Sequence, residues 1–321
     1  MRKRSYFHVL RRFINASSLP LVILLILAVF FIALPSHQLL KEIKQYVSSS
    51  AIAPVTVWGT GITLHPHQPQ VIRRHGSTPT ITPVNLLGTV YWSADYETGN
   101  LGQWSQVHAG GAWGDSSVKV VTSPVRHGKY AAKFTVNASG GAPQRAEVSA
   151  NQRQTGGYPG EEWYYSWSTL IPSVPNATTG WAEWTVITQW MDLLHQCSPP
   201  LQVDILPGTP PHFVLTSKLR DDKNRCNPLG PTQKWDLGPL QYDQWNDFTI
   251  HIKWSEDPSV GFVEMWRNWV EVVPLTHIRT LDTGGGVYME QDIYRPDFSG
   301  TNVIYFDDIR RHDRFNLNSS S

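Results

Sequence analysis

Strict alternation of apolar and polar residues over 248–254 constrains the fold more than any other feature of this chain. The apolar positions are Phe248, Ile250, Ile252 and Trp254, and the polar positions between them are Thr249, His251 and Lys253. Because successive side chains of a β-strand point to opposite faces, this segment predicts a strand with one face in a core. Weaker alternation recurs over 163–168 and 183–190, and no long stretch beyond residue 50 has a helical period.

Further short segments of strand character are separated by turn-forming residues. We expect strands within 117–121, 130–136, 144–150, 201–206, 212–219, 260–267, 286–294 and 302–309. Turns are predicted at Pro172, Pro207-Gly208, Asp257-Pro258 and Gly284-Gly285-Gly286. This many short strands predicts an all-β domain over residues 90–312. We expect an antiparallel two-sheet β-sandwich of the jelly-roll, concanavalin A-like kind, followed by a tail over 313–321.

The N-terminal part of the chain has a different character. Residues 1–18 are basic, and residues 19–34 are apolar enough to form, with their small flanking residues, a tilted transmembrane helix. No small-x-small cleavage site directly follows this run. We therefore predict an uncleaved signal anchor, with residues 1–18 in the cytoplasm and the domain outside the membrane. The alternative is a cleaved signal peptide and a secreted protein. Residues 35–89 contain many Pro and no sustained periodicity, which predicts a linker.

The distribution of charge separates the N-terminal part from the remainder. Residues 1–50 hold seven Lys or Arg and one Glu, whereas the remaining residues hold 20 Lys or Arg and 25 Asp or Glu. A mildly acidic exported part argues against nucleic acid as a partner. It also argues against a strongly anionic polymer, whereas a weakly charged acidic polysaccharide is compatible if basic groups gather in a cleft.

Two residue types fit an extracytoplasmic setting. Cys197 and Cys226 are the two cysteines of the chain, and a single pair in an oxidising compartment usually forms a disulfide. Two free buried thiols are the alternative. All 14 Trp residues lie beyond residue 57. Indole rings stack on sugar faces, but large β-sandwich cores also use Trp, so the excess is compatible with both roles.

A series of motifs follows one order along the predicted domain. The motifs span residues 95–100, 145–147, 162–172, 187–190, 245–254, 261–266, 288–295 and 305–308. In these motifs and their order, the chain resembles the heparin-lyase-like polysaccharide lyases. That jelly-roll group includes glucuronan lyases and is similar in architecture to alginate lyases. The resemblance covers roughly residues 90–312 and implies a lyase that cleaves a uronate-containing glycan by β-elimination.

The resemblance implies three catalytic positions, and β-elimination explains their residue types. Tyr294 matches a catalytic phenol, Gln189 a carboxamide and Arg145 a cationic clamp. Removal of the C5 proton of a uronate places negative charge on the sugar carboxylate, which a guanidinium and a carboxamide stabilise. A base takes the proton and an acid protonates the departing O4, and tyrosine can do either. This chemistry requires no cofactor.

Four residues depart from the pattern of the alginate-lyase-like sites. Met191 stands at the position of a histidine, and Ser149 stands at that of a second arginine. Glu290 and Asp292 replace a lysine and a glycine. The loss of one base and two cations favours, as an alternative, a carbohydrate-binding module of the same fold without activity.

Other residues are candidates for the remaining roles. His195, His251 and Lys253 are the candidates to compensate for the missing base and cations, and of these His195 is the predicted catalytic residue. The substrate-binding candidates are Glu147, Trp190, His251, Lys253, Tyr288 and Arg295. A third hypothesis, a retaining glycoside hydrolase, would use two carboxylates such as Glu147 and Glu264.

Acidic residues near the two ends of the predicted domain form a candidate calcium site. They are Asp95, Glu97 and Asn100 near its start and Asp307 and Asp308 near its end. Oxygen-rich sets can hold structural calcium where first and last strands pair. Ordinary turn and edge carboxylates are the alternative.

Overall fold

The computed structural model describes residues 88–138, 144–194, 197–220 and 226–315. The predicted anchor over 19–34 and nearly all of the predicted linker lie outside these ranges. Within the ranges, no helix is long and apolar enough to cross a membrane.

Fifteen strands in the described residues pair in two antiparallel sheets, which confirms the predicted two-sheet β-sandwich. The strands are β1 (Val90–Ala94), β2 (Gln106–His108), β3 (Ser116–Val121), β4 (Ala131–Val136), β5 (Gln144–Ser149), β6 (Glu162–Leu170), β7 (Thr185–Asp192), β8 (Leu201–Leu206), β9 (His212–Ser217), β10 (Gln233–Pro239), β11 (Trp245–Lys253), β12 (Phe262–Arg267), β13 (Val270–His277), β14 (Val287–Arg295) and β15 (Asn302–His312).

The order of strands in each sheet determines which residues share a face. The first sheet runs β13-β12-β11-β6-β15-β4-β3, with β1 also paired to β15. The second sheet runs β10-β9-β8-β7-β14-β5-β2. Each sheet turns one face to the shared core, and we call its opposite face the outer face.

The core between the sheets is rich in aromatic side chains. The predicted inward residues of β11, from Phe248 to Trp254, are all buried, as alternation requires. The Trp167 ring stacks on Phe248 with centroids 5.3 Å apart, and the Trp190 ring contacts Trp254 at 6.4 Å. Burying one such side chain stabilises the fold by about 2–3 kcal/mol before entropy is counted. Much of the Trp excess therefore serves the core.

Two short helices and a disulfide complete the domain. Helix α1 (Gln152–Thr155) begins with a capping box, in which the Asn151 side chain accepts a hydrogen bond from the backbone N–H of Gln154. Helix α2 covers Ser173–Thr179. The predicted disulfide joins Cys197 and Cys226, whose Cα atoms lie 5.4 Å apart.

Candidate functional site

Three neighbouring strands of the second sheet bring the predicted catalytic residues to one outer face. β14 lies between β5 and β7, with Tyr294 opposite Arg145 on β5 and Glu290 opposite Gln189 on β7. Residues between these positions, such as Ala146, pack in the core, so strand alternation directs the polar side chains outward. Residues 44 to 149 positions apart in the chain thus share one surface. Their catalytic roles stay predictions.

Three acidic residues of this face, Glu147, Glu290 and Asp292, form what we call the carboxylate cluster. One carboxylate oxygen from each lies within 4.8 Å of the other two, and all three side chains are buried. Ser149 Oγ donates to Glu290 Oε1 at 3.0 Å, and Gln189 Nε2 donates to Asp292 Oδ2 at 2.7 Å. Within the described ranges, one oxygen of each acid has no hydrogen-bond partner.

Burial is the main cause that raises the pKa of all three carboxyl groups. The charge of Glu147 raises the pKa of Glu290 further, and both acids raise that of Asp292. Arg145 opposes these shifts. Near neutral pH the cluster must therefore hold protons or an additional positive charge.

Arg145 lies between two aromatic rings. Its guanidinium carbon is 4.8 Å from the Trp113 ring centroid and 4.4 Å from that of Tyr294, within the range of cation–π contact. It also donates to Glu147 Oε1 at 3.2 Å. Burial opposes the charge, but the carboxylate cluster raises the pKa of Arg145 above its usual value. The guanidinium stays charged, and its side chain is 16% exposed.

Gln189 and Tyr288 differ in accessibility. The Gln189 carboxamide is buried and bonded to Asp292, so a substrate would have to displace that contact to reach it. Tyr288 is half-buried on the same outer face, and burial raises the pKa of its phenol. Solvent therefore reaches Arg145, Tyr288 and Tyr294 more readily than Gln189.

His108 is a member of the face that sequence reasoning missed. It lies opposite Glu147 in the β2–β5 pair, and its Nδ1 is 2.7 Å from Glu147 Oε1. When Glu147 is ionised it accepts a hydrogen bond from Nδ1, and in the neutral ring Nε2 is then an acceptor. Its side chain is 28% exposed, beside the Trp113 ring at 5.4 Å. β2 has three residues, too few to show a periodic signal.

The predicted substrate contacts of Trp190 and Arg295 are wrong. Trp190 is fully buried between the sheets, and Arg295 is buried with its Nε donating to Gln144 Oε1 at 2.8 Å. Burial lowers the pKa of Arg295 to about 10. Each residue directly follows an outward one, Gln189 or Tyr294, so alternation turns it inward. Adjacency in sequence therefore placed them on the wrong face.

The predicted substrate contacts of His251 and Lys253 are also corrected. β11 belongs to the first sheet, so both side chains lie on its outer face, across the core from Arg145. His251 Nε2 lies 2.8 Å from Glu162 Oε1. The His251 ring stacks on the Tyr164 ring, with centroids 3.9 Å apart. The Lys253 ammonium donates to a backbone carbonyl at 2.8 Å. Neither residue can meet a sugar bound at Arg145.

Other predicted residues have separate outcomes. His195 lies outside the described residues. Glu97 Oε1 accepts the backbone N–H groups of Lys129 and Tyr130, and Asp308 pairs with His127 and Arg310. In the described ranges, the carboxylate cluster is the one set of three acidic, His or Cys side chains close enough to share an ion. Calcium at the predicted set Asp95, Glu97, Asn100 and Asp308 stays a prediction.

The chain belongs to the polysaccharide lyase family, because the model of that family, described as "Polysaccharide lyase", matches residues 96–310. Comparison with curated proteins finds no match. The matched range begins in the loop after β1 and ends in β15, so it includes both sheets and the outer face with Arg145.

The chain is similar to several solved structures. The endo-β-1,4-glucuronan lyase from the fungus Trichoderma reesei superposes with a TM-score of 0.60 at 17% identity, over 72% of this chain and 100% of that one. The catalytic domain of a glycoside hydrolase family 131 protein from Coprinopsis cinerea gives 0.47 at 12% identity, over 73% and 100%. Alginate lyase AlyC3 gives 0.42 at 15% identity, over 56% and 74%. At 17% identity, the likeness to the glucuronan lyase concerns the fold alone.

Proposed function

We propose that this protein is a polysaccharide lyase that cleaves a uronate-containing glycan on the outer face of the second sheet. The observation that carries the proposal is the pairing of Arg145 with Tyr294 on adjacent strands, with the guanidinium over the phenol ring at 4.4 Å. A charged donor and a proton carrier are thereby available to one sugar ring, in a chain that belongs to this family.

The reaction is a β-elimination. A base takes the proton from C5 of a uronate, the electron pair forms the C4–C5 double bond, and the C4–O4 bond breaks. The departing O4 takes a proton from an acid. No water is added, so one new chain end is an unsaturated uronate and the other is a reducing end whose anomeric hydroxyl contains the former O4.

Arg145 and the two proton carriers near it take distinct roles in this proposal. Arg145 binds the uronate carboxylate and stabilises the charge that develops on it as the C5 proton leaves. Tyr294 contacts Arg145 on one side and moves a proton at its phenolic oxygen. His108 lies on the other side of Arg145, where Glu147 orients it and Nε2 can accept a proton. His108 thus offers the imidazole that is missing at Met191, the position where the alginate-lyase-like sites have a histidine.

Two other functions receive less support. Glu147 and Glu264 lie in different sheets, so they cannot act together as the hydrolase pair. Within the carboxylate cluster the carboxyl groups are close enough for a retaining hydrolase, but all three are buried away from a glycosidic oxygen. A binding module without activity is favoured by Met191, Glu290 and Asp292, and it uses the same face.

The proposed site of action is outside the cytoplasm. A disulfide such as Cys197–Cys226 persists in oxidising compartments, and polysaccharides are encountered there. The N-terminal anchor remains part of this proposal.

The test is incubation of the purified full chain with glucuronan, alginate and a neutral glucan. Elimination creates unsaturated ends that absorb ultraviolet light, together with an equal number of new reducing ends. We expect both signals with at least one uronan and neither with the neutral glucan. Reducing ends without absorbance would identify a hydrolase. Binding without either signal would identify the binding module.

A further inference from the structure

The geometry points to a divalent cation site at the carboxylate cluster, with Ca²⁺ as the best-fitting ion. Glu147, Glu290 and Asp292 come from two adjacent strands and converge below the surface of the second sheet. The proposed site is separate from the predicted calcium residues at the ends of the domain.

Among the described residues, each acid of the carboxylate cluster has one buried oxygen atom without a hydrogen-bond partner. Glu147 Oε2, Glu290 Oε2 and Asp292 Oδ1 are buried and have no hydrogen-bond partner within the described part of the chain. Leaving even one buried polar atom unpaired is destabilising, and more so when the group is charged. One oxygen of each side chain lies within 4.8 Å of the other two, so a single cation bound among them would supply the missing positive partner.

A neutral side chain supplies an independent observation. Gln189 is buried, and its Oε1 also has no hydrogen-bond partner among described residues. Its Nε2 is bonded to Asp292 Oδ2, so the carboxamide is fixed against the cluster. Repulsion among the three carboxylates does not explain why a neutral amide oxygen has no partner. A cation that takes the Gln189 oxygen as a fourth ligand does explain it.

The spacing and the chemistry of these donors favour Ca²⁺. Ca²⁺–oxygen distances are about 2.3–2.6 Å, so two ligands on opposite sides of the ion lie about 4.6–5.2 Å apart. The cluster oxygens lie within 4.8 Å of one another, which fits inside such a shell. All donors are oxygens, and carboxylate and carbonyl oxygens suit Ca²⁺ better than the softer transition metals.

The balance of charge agrees with one divalent ion. Three ionised carboxylates carry three negative charges, and the full cation bonded to the cluster in the described ranges is Arg145. A divalent ion brings the sum to zero. It also turns an acidic patch into a surface that an anionic sugar can approach. This last consequence rests on the proposed lyase function, whereas ion binding itself does not.

The first experiment measures Ca²⁺ binding to the full chain by titration calorimetry at pH 8, after removal of metals with EDTA. We expect Asp292→Asn to lower the affinity of one site by at least tenfold. Glu264→Gln, on the outer face of the first sheet, is the matched control and should leave binding unchanged. If the wild type binds no Ca²⁺, or if Glu97→Gln and not Asp292→Asn removes the binding, the inference is overturned.

A second measurement separates lost binding from lost folding. In EDTA at pH 8, Glu290→Gln should melt at or above the Tm of the wild type, because it removes a buried unpaired charge. Ca²⁺ at roughly 100 times its Kd should raise the wild-type Tm by about 5 °C or more and leave the variant unchanged. If Ca²⁺ shifts both proteins equally, or shifts neither, the ion does not bind here. Both readouts stand whether or not the chain cleaves a polysaccharide.

Discussion

The outer faces of the two sheets carry similar side chains but differ in the balance between acidic and basic groups. On the first sheet, His251 bonds to both Glu162 and Glu264, and Lys253 lies 3.6 Å from Glu162, so acids and bases are matched. On the second sheet, the three buried acids of the carboxylate cluster exceed the basic groups bonded to them, Arg145 and His108. Charge that a fold leaves unmatched has no structural benefit, and we therefore assign function to the second face.

The largest difference between the two faces should appear in kcat when one tyrosine hydroxyl is removed from each face. Tyr294→Phe should lower kcat by roughly 10²–10⁴-fold with little change in binding, because proton transfer alone is lost. Tyr164→Phe, which alters the aromatic stack beneath His251 on the first sheet, should change kcat less than about twofold by comparison. Initial rates of ultraviolet absorbance on a cleaved uronan measure both. Equal losses in the two variants would remove the functional difference between the faces.

The next effect should come from removing a cation from each face. Arg145→Met should lower kcat/KM by roughly 10²–10³-fold, since the uronate carboxylate is contacted before and during reaction. Lys253→Met keeps a similar stem on the other face and should retain near wild-type kcat/KM. The comparison fails if Lys253→Met is the more damaging change in steady-state kinetics.

A smaller effect should appear in stability and depend on pH. Because the pKa of Glu290 is raised in the folded state, its favourable contribution is present at low pH and lost as pH rises through the folded-state pKa. In EDTA, the free energy of unfolding of the wild type should therefore fall from pH 5 to pH 9. Glu290→Gln should reduce that fall by about 1–2 kcal/mol in urea titrations, a shift of roughly one pKa unit being worth 1.4 kcal/mol. An unchanged slope would contradict the assignment.

The smallest effect should come from the matched network. His251→Gln removes its ion pairs on the first sheet, one of them with the partly exposed Glu162, and should destabilise the domain by about 1 kcal/mol or less. Catalytic activity should be retained. Loss of activity without unfolding, followed by circular dichroism and the uronan assay, would mean that the first face also acts in function.

The sandwich could be predicted because its signal is local. The alternation of Phe248 to Trp254 requires one buried face wherever the strand is placed. Arg145 and Glu147 share a face for the same reason, because they are two residues apart on one strand. Within one strand, the pattern of side chains decides orientation without knowledge of the partner strands.

The errors over His251, Lys253 and His108 came from information that no single strand contains. His251 and Lys253 point outward as predicted, but strand pairing places β11 in the first sheet, away from Arg145. Trp190 is a different case, because alternation within its own strand turns it into the core, away from the face of Gln189. His108 lies on a strand of three residues, so only the folded register brings it to Glu147.

The most direct test of the proposed lyase function is the mass of the products released from glucuronan or alginate by the full chain. Elimination adds no water, so the new non-reducing end should be lighter by one water than a hydrolytic end. We predict unsaturated oligouronates as the initial products, and their loss in Tyr294→Phe. Saturated products of full hydrolytic mass, or cleavage that persists in Tyr294→Phe at the wild-type rate, would contradict the account.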